Sequence, residues 1–152
     1  MTRKRTPAFW FITIFIALSI VLMLVGQTMS VINYDFTVRY GLQESVEEVS
    51  EFGVQVNRAF GVGDTLVFVP LLIVSIIGLW LRKRWALLMT TATAAVSAYW
   101  SVTILFILLW GPGCAGYNYA PGAEIWTFVL AYTAFGFWCT FYVLFRGEKL
   151  IQ

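Results

Sequence analysis

Histidine is absent from the 152-residue chain. Its absence removes the commonest general base and every Ser-His-Asp or Cys-His arrangement. It also leaves zinc, copper and di-iron centres poorly supplied with ligands. Cysteine occurs twice, at Cys114 and Cys139, without a Cys-x-x-Cys pair, which argues against paired thiol redox chemistry. Charge is scarce as well: 12% of residues are ionised and the net charge is +2, too little for a nucleic-acid partner. None of Asn33, Asn57 and Asn118 opens an Asn-x-Ser/Thr sequon.

What remains is apolar. Hydrophobic residues make up 60% of the chain and mean hydropathy is +0.80, against about 45–50% apolar usage in soluble domains. The few charges are sorted by segment. Basic residues gather at Arg3, Lys4 and Arg5, at Arg82, Lys83 and Arg84, and at Arg146 and Lys149. Six acids, Asp35, Glu44, Glu47, Glu48, Glu51 and Asp64, fall between Tyr34 and Thr65. About 20 apolar residues cross a bilayer core, and four uncharged stretches meet or nearly meet that length.

The pattern predicts an all-α, single-domain integral membrane four-helix bundle with spans over residues 8–30, 64–81, 85–110 and 124–145. Lys and Arg favour the cytoplasmic side of span ends, so both termini are expected inside and the connector 31–63 and loop 111–123 outside. The apolar run after the basic N-terminus is too long for a signal peptide and lacks a small-x-small cleavage site, so it reads as a retained anchor. The expected location is a prokaryotic cytoplasmic (inner) membrane, with the lipid bilayer as the first partner. The depth difference between Cys114 and Cys139, roughly 20 Å along the fourth span, predicts that they stay unpaired.

Local patterns refine the picture. Leu42, Val46, Val49, Gly53, Val56 and Phe60 share one helical face, and Glu44, Glu48, Glu51, Gln55 and Arg58 share another. This predicts an extracytoplasmic amphipathic helix of about five turns between the first two spans. Its acidic face does not suit an anionic lipid surface. It reads first as solvated, and second as a weak cation site built from Glu44, Glu47, Glu48 and Glu51. Asp64 reads as an N-cap of the second span, and Pro70 as a packing kink facing protein. In span three Thr90, Ala94, Ser97 and Ser101 form a small-residue strip, matched by Thr133, Gly136 and Thr140 in span four.

The candidate ligand site gathers Asp35, Arg39 and Asp64 as a polar floor. Tyr99, Trp100, Tyr117, Tyr119 and Trp126 are its candidate walls. Asp35 and Arg39 are four apart and would pair on a helix. No cofactor is implied. Aromatic richness without a catalytic set points to binding of a lipid, a small apolar ligand or a partner protein, which includes a second copy of the chain. The alternative is a compact membrane enzyme (isomerase or lipid-modifying) or a transporter using the outer carboxylates. The first span has no carboxylate, where small four-helix multidrug exporters carry one. The size, the four spans and the aromatic content resemble sterol isomerase-like proteins, but only Asp35-x-x-x-Arg39-Tyr40 bears comparison, too short a match to transfer a role.

Overall fold

A computed structural model describes residues 4–152, so Arg3 lies outside the described residues. The described chain is all helical, 81% helix with no strand. The helices are α1 (Pro7–Ile32), α2 (Tyr34–Arg39), α3 (Val46–Trp80), α4 (Trp85–Trp110), α5 (Ala123–Arg146) and α6 (Glu148–Ile151). Four of them, α1, α3, α4 and α5, are long and apolar enough to cross a membrane. Their outward faces carry Ile14, Leu18, Leu66, Leu88, Leu144 and Phe145 in the open. A soluble monomer rarely exposes so continuous an apolar surface; lipid covers it at no such cost. Four such helices are consistent with an integral membrane protein.

Each helix end has a local cause. Thr6 caps α1, its Oγ1 accepting from the Phe9 N–H at 3.2 Å, and Pro7 occupies the first turn, where a missing N–H costs nothing. α2 ends in a Schellman turn: Gly41 N–H donates to Val38 O, Leu42 N–H donates to Thr37 O, and Gly41 takes φ +66°. The same turn closes α3, where Lys83 N–H donates to Gly78 O and Arg82 takes φ +53°. A residue with a side chain in that conformation costs roughly 1 kcal/mol; here the position is held by one of the three consecutive basic residues. Arg5 covers the last carbonyls of α3, donating to Leu79 O at 3.1 Å and Trp80 O at 2.7 Å, with its guanidinium 4.1 Å from the Phe9 ring centre. A cation there suits the negative end of the helix.

The connector differs from the sequence expectation. The helix expected to lie outside the bilayer and the second span run together as α3, Val46–Trp80, and beyond a backbone break at Ser50 the helix continues unbroken to Trp80, about 45 Å at 1.5 Å per residue. Asp64 is therefore not an N-cap. It opens a π turn, Asp64–Phe68, in which the Val69 N–H reaches back five residues to Asp64 O. The wider turn lets the helix continue past Pro70, whose ring faces outward rather than into protein. α1 carries a matching π turn, Met23–Thr28, and the two lie against each other with Thr28 and Thr65 hydroxyls 2.9 Å apart.

The four long helices form a ring in chain order. α4 and α5 are closest, because Gly136 sits directly on the Ala98 backbone and Thr133 Oγ1 donates to Ser101 Oγ at 3.0 Å. Thr90, Ala94, Ser97 and Ser101 are all buried. α1 and α5 stand further apart, and aromatic rings fill the gap: Phe15 stacks on Phe135 with centroids 3.6 Å apart, and Phe11 meets Trp138 at 5.2 Å. Cys114 is exposed, Cys139 buried, and both are free.

Candidate ligand site at the connector end

Where the aromatic filling of the α1–α5 gap stops, a cavity of about 260 Å³ opens. All four long helices line it: Gln27 from α1, Asn57 and Phe60 from α3, Trp100 from α4, and Phe128 from α5. The connector segment from Gly41 to Glu44 roofs it. One turn further along α5, Tyr132 packs on Phe128 and Trp100 and donates to Ser19 Oγ at 2.7 Å. A second cavity of about 310 Å³ adjoins the first and shares Glu44, Asn57, Phe60 and Ile104 with it.

The roof is a hydrogen-bonded unit. Asn57 Nδ2 donates to Glu44 Oε2 at 2.8 Å and to Tyr34 Oη at 3.0 Å, and Tyr34 Oη donates to Glu44 O at 2.8 Å. Burial, the largest cause, pushes the Glu44 carboxyl above its ordinary value, and the nearby Glu48 charge adds to the shift. Tyr119 is pushed up to about 12, first by burial and then by the charges of Glu44 and Glu48; Tyr117 rises by burial and by Glu44. Gln27 Oε1 is buried without a hydrogen-bond partner.

The loop after α4 holds this roof in place. Ser50 breaks the first turns of α3 with φ 66° and ψ 168°, a region that costs a residue with a side chain of order 1–3 kcal/mol. The break frees carbonyls that a continuous helix would bind. Asn118 takes two of them, its backbone N–H donating to Glu48 O at 2.6 Å and its Nδ2 to Glu47 O at 3.0 Å.

The residues singled out from sequence fall into separate groups. Asp64 and Trp100 come together inside the bundle, 6% and 7% exposed. Tyr117 and Tyr119 stand near Glu44. Tyr99 points outward, 70% exposed. Asp35 and Arg39 occupy the first and last turns of α2 as expected, but both are exposed and no ion pair joins them. Asp35 borders a groove of about 770 Å³ with Glu47, Glu51 and Arg58, and Asp64 does not line it. Trp126 is half-buried in the first turn of α5 and lines neither cavity.

The four glutamates do not converge. Glu44 turns to Asn57, Glu48 accepts from the Ser45 N–H at 2.7 Å, and Glu47 and Glu51 are exposed. Among the described residues no group of three or more acidic, cysteine or histidine side chains is placed to hold a metal ion. Sequence reasoning passed over Gln27, Tyr34 and Asn57. One signal was available: Ser45-x-x-Glu48 is a capping-box pattern, which starts a helix after Glu44 and separates that residue from the other three. No family model, curated protein or solved structure matches the chain.

Proposed function

We propose that the protein binds a lipid or another small amphiphile in the cavity at the connector end of its bundle. The observation that carries this reading is an apolar chamber lined by all four long helices, with the side-chain amide oxygen of Gln27 unpartnered in its wall and the Glu44–Asn57–Tyr34 unit at its roof. Ligand sites are concave, mostly apolar and marked by a few fixed polar groups. Native mass spectrometry of gently extracted protein tests it. A bound amphiphile is expected, and Ile104→Trp, which fills the wall shared by both cavities, should remove it while leaving the protein folded. An adduct-free wild-type protein, or an adduct indifferent to the substitution, overturns the reading. Chemical turnover of the bound amphiphile would favour the enzyme reading instead, with Glu44 as the carboxyl group that lines this cavity.

The orientation belongs to the same proposal. Arg5, the Arg82–Lys83–Arg84 turn and Arg146 lie at one end of the bundle, and the connector acids lie at the other. Basic ends face the cytoplasm, so the chamber opens towards the outside and both termini lie within. Cys114 is a natural probe, because it is exposed at the connector end while Cys139 is buried. A membrane-impermeant maleimide should label intact cells expressing the wild-type protein and not the Cys114→Ser variant. Labelling confined to permeabilised cells reverses the orientation.

A further inference from the structure

A second recess lies on the other side of Trp100. It is a groove of about 500 Å³ between α3 and α4, walled by Phe60, Val67, Phe68, Val96 and Tyr99. Val67 and Tyr99 are exposed, so the groove opens on the outward face of the bundle. Trp100 and Phe60 line both this groove and the central cavity and form the partition between them.

Two polar groups interrupt the apolar wall. Asp64 Oδ2 and Trp100 Nε1 are both buried and neither has a hydrogen-bond partner. They lie close enough to interact, yet no bond of proper distance and angle joins them. The cost of leaving such groups unpaired is about 1–3 kcal/mol each, and an intramembrane carboxyl marks a functional site by default. Asp64 also opens the π turn of α3, a distortion that recurs at functional sites.

The unpaired atoms state what would satisfy them. The indole N–H can only donate, and an ionised carboxylate can only accept. A hydroxyl group does both: it accepts from the first and donates to the second. An ammonium group could serve Asp64 but has no lone pair for Trp100. A phosphate could accept from Trp100 but would meet the carboxylate with no Lys or Arg in the lining. The apolar walls and outward opening call for a chain rather than a water-soluble alcohol.

We infer that this groove binds a neutral long-chain alcohol from the membrane, its hydroxyl bridging Trp100 Nε1 and Asp64 Oδ2 and its chain lying along Val67, Phe68 and Val96. The site is distinct from the central cavity, so either can be occupied when the other proposal fails.

Photo-crosslinking with purified, membrane-reconstituted protein tests it. Four diazirine probes are compared: a long-chain alcohol, its methyl ether, the matching primary amine and a short water-soluble alcohol. The long-chain alcohol should label groove residues such as Val67 and Val96, with an apparent affinity about tenfold above that of the ether, as expected for about one net hydrogen bond. Asp64→Leu, checked for unchanged melting, should reduce the preference for alcohol over ether to about two-fold or less, whereas Trp100→Phe should weaken labelling by alcohol and ether alike, because both oxygens accept from the indole N–H. Equal labelling by ether or amine overturns the proposal, and so does equal labelling by the short alcohol. A preference unchanged in Asp64→Leu, or labelling unchanged in Trp100→Phe, overturns it too. Should a variant fail to fold, the wild-type comparison of alcohol, ether and amine decides alone. Labels confined to Leu22, Ile104 or Phe128 would support the central cavity and refute the groove.

Discussion

Gly136→Leu should lower the stability of the purified protein by about 3 kcal/mol or more, at the upper end of what overpacking costs. The reason is geometric. A Cβ on Gly136 would stand 2.6 Å from Ala98 N and 2.8 Å from Ala98 Cα. Those are backbone atoms of the facing helix, so relief requires α4 and α5 to separate. Separation breaks the Thr133–Ser101 hydrogen bond and unseats the small-residue contact along the seam. In lipid that contact is a main source of helix association, because apolar side chains gain little by leaving hydrocarbon for one another. Gly136→Ala should destabilise less, since about 1 kcal/mol of helix propensity offsets part of the clash. Gly63→Ala is the sign control: the position is helical and a Cβ there meets nothing within 4 Å, so stability should hold or rise. Thermal and SDS unfolding of the three variants in one detergent checks the order. Gly136→Leu as stable as Gly63→Ala would mean that the α4–α5 seam does not hold the bundle. The consequence reaches the ligand site, because Trp100 and Phe128 face each other across the same pair of helices.

Why the seam was readable and the connector was not follows from the kind of signal each carries. Thr90, Ala94, Ser97 and Ser101 repeat at helical steps within an unbroken span, so periodicity alone assigns their face. The span limits were equally plain, because charges end the apolar runs: α4 starts at Trp85 directly after Arg84 and stops at Trp110 before Gly111-Pro112. At Asp64 every local signal misled in the same direction. An Asp after two glycines and before an apolar run with a proline resembles a helix start. The π turn carries α3 through instead, and no sequence pattern announces a π turn. The break at Ser50 shifts helical phase in the same region, so the face predicted from Leu42 to Phe60 is not one continuous stripe. Leu42 and Val46 are exposed while Val49 is buried.

The candidate site divides along similar lines. Trp100 and Asp64 stood out as chemistry-bearing residues near a span end, and tertiary packing brought them together. Asp35 and Arg39 had the right spacing on a real helix, yet at an exposed position such a pair is worth little and does not form. Asn57 and Gln27 looked generic because a single amide among apolar neighbours carries no periodic signature. Their partners are 13 or more residues away or, for Gln27 Oε1, absent.

Asn57 carries the other large expected effect. Asn57→Leu removes the side chain that donates to both Glu44 Oε2 and Tyr34 Oη. The loss should be about 1–3 kcal/mol at neutral pH, the cost of leaving a buried acceptor unpaired. Its pH dependence has a defined sign. Burial already holds the Glu44 carboxyl above its ordinary 4.5, and the Asn57 hydrogen bond opposes that rise. The folded state therefore binds the proton more tightly than the unfolded state. The stability contributed by this group is full below the unfolded value and falls as pH rises through the folded one. Without Asn57 the folded value climbs further, so the penalty of Asn57→Leu should be greatest at neutral pH and shrink as the carboxyl is protonated. Removing both partners differs in kind from removing one. Glu44→Leu with Asn57→Leu leaves no unpaired carboxylate under the roof, so the double variant should recover most of the loss, with a coupling of about 1–2 kcal/mol. Unfolding curves for wild type, both single variants and the double variant from acidic to neutral pH test this. A pH-independent penalty, or additive losses in the double variant, would show that the Glu44 carboxylate is solvated and that the roof is held by the Tyr34–Glu44 backbone bond and Asn118 instead. Recovery in the double variant would place the energetics in the buried pair itself, where a ligand's polar group could replace one partner.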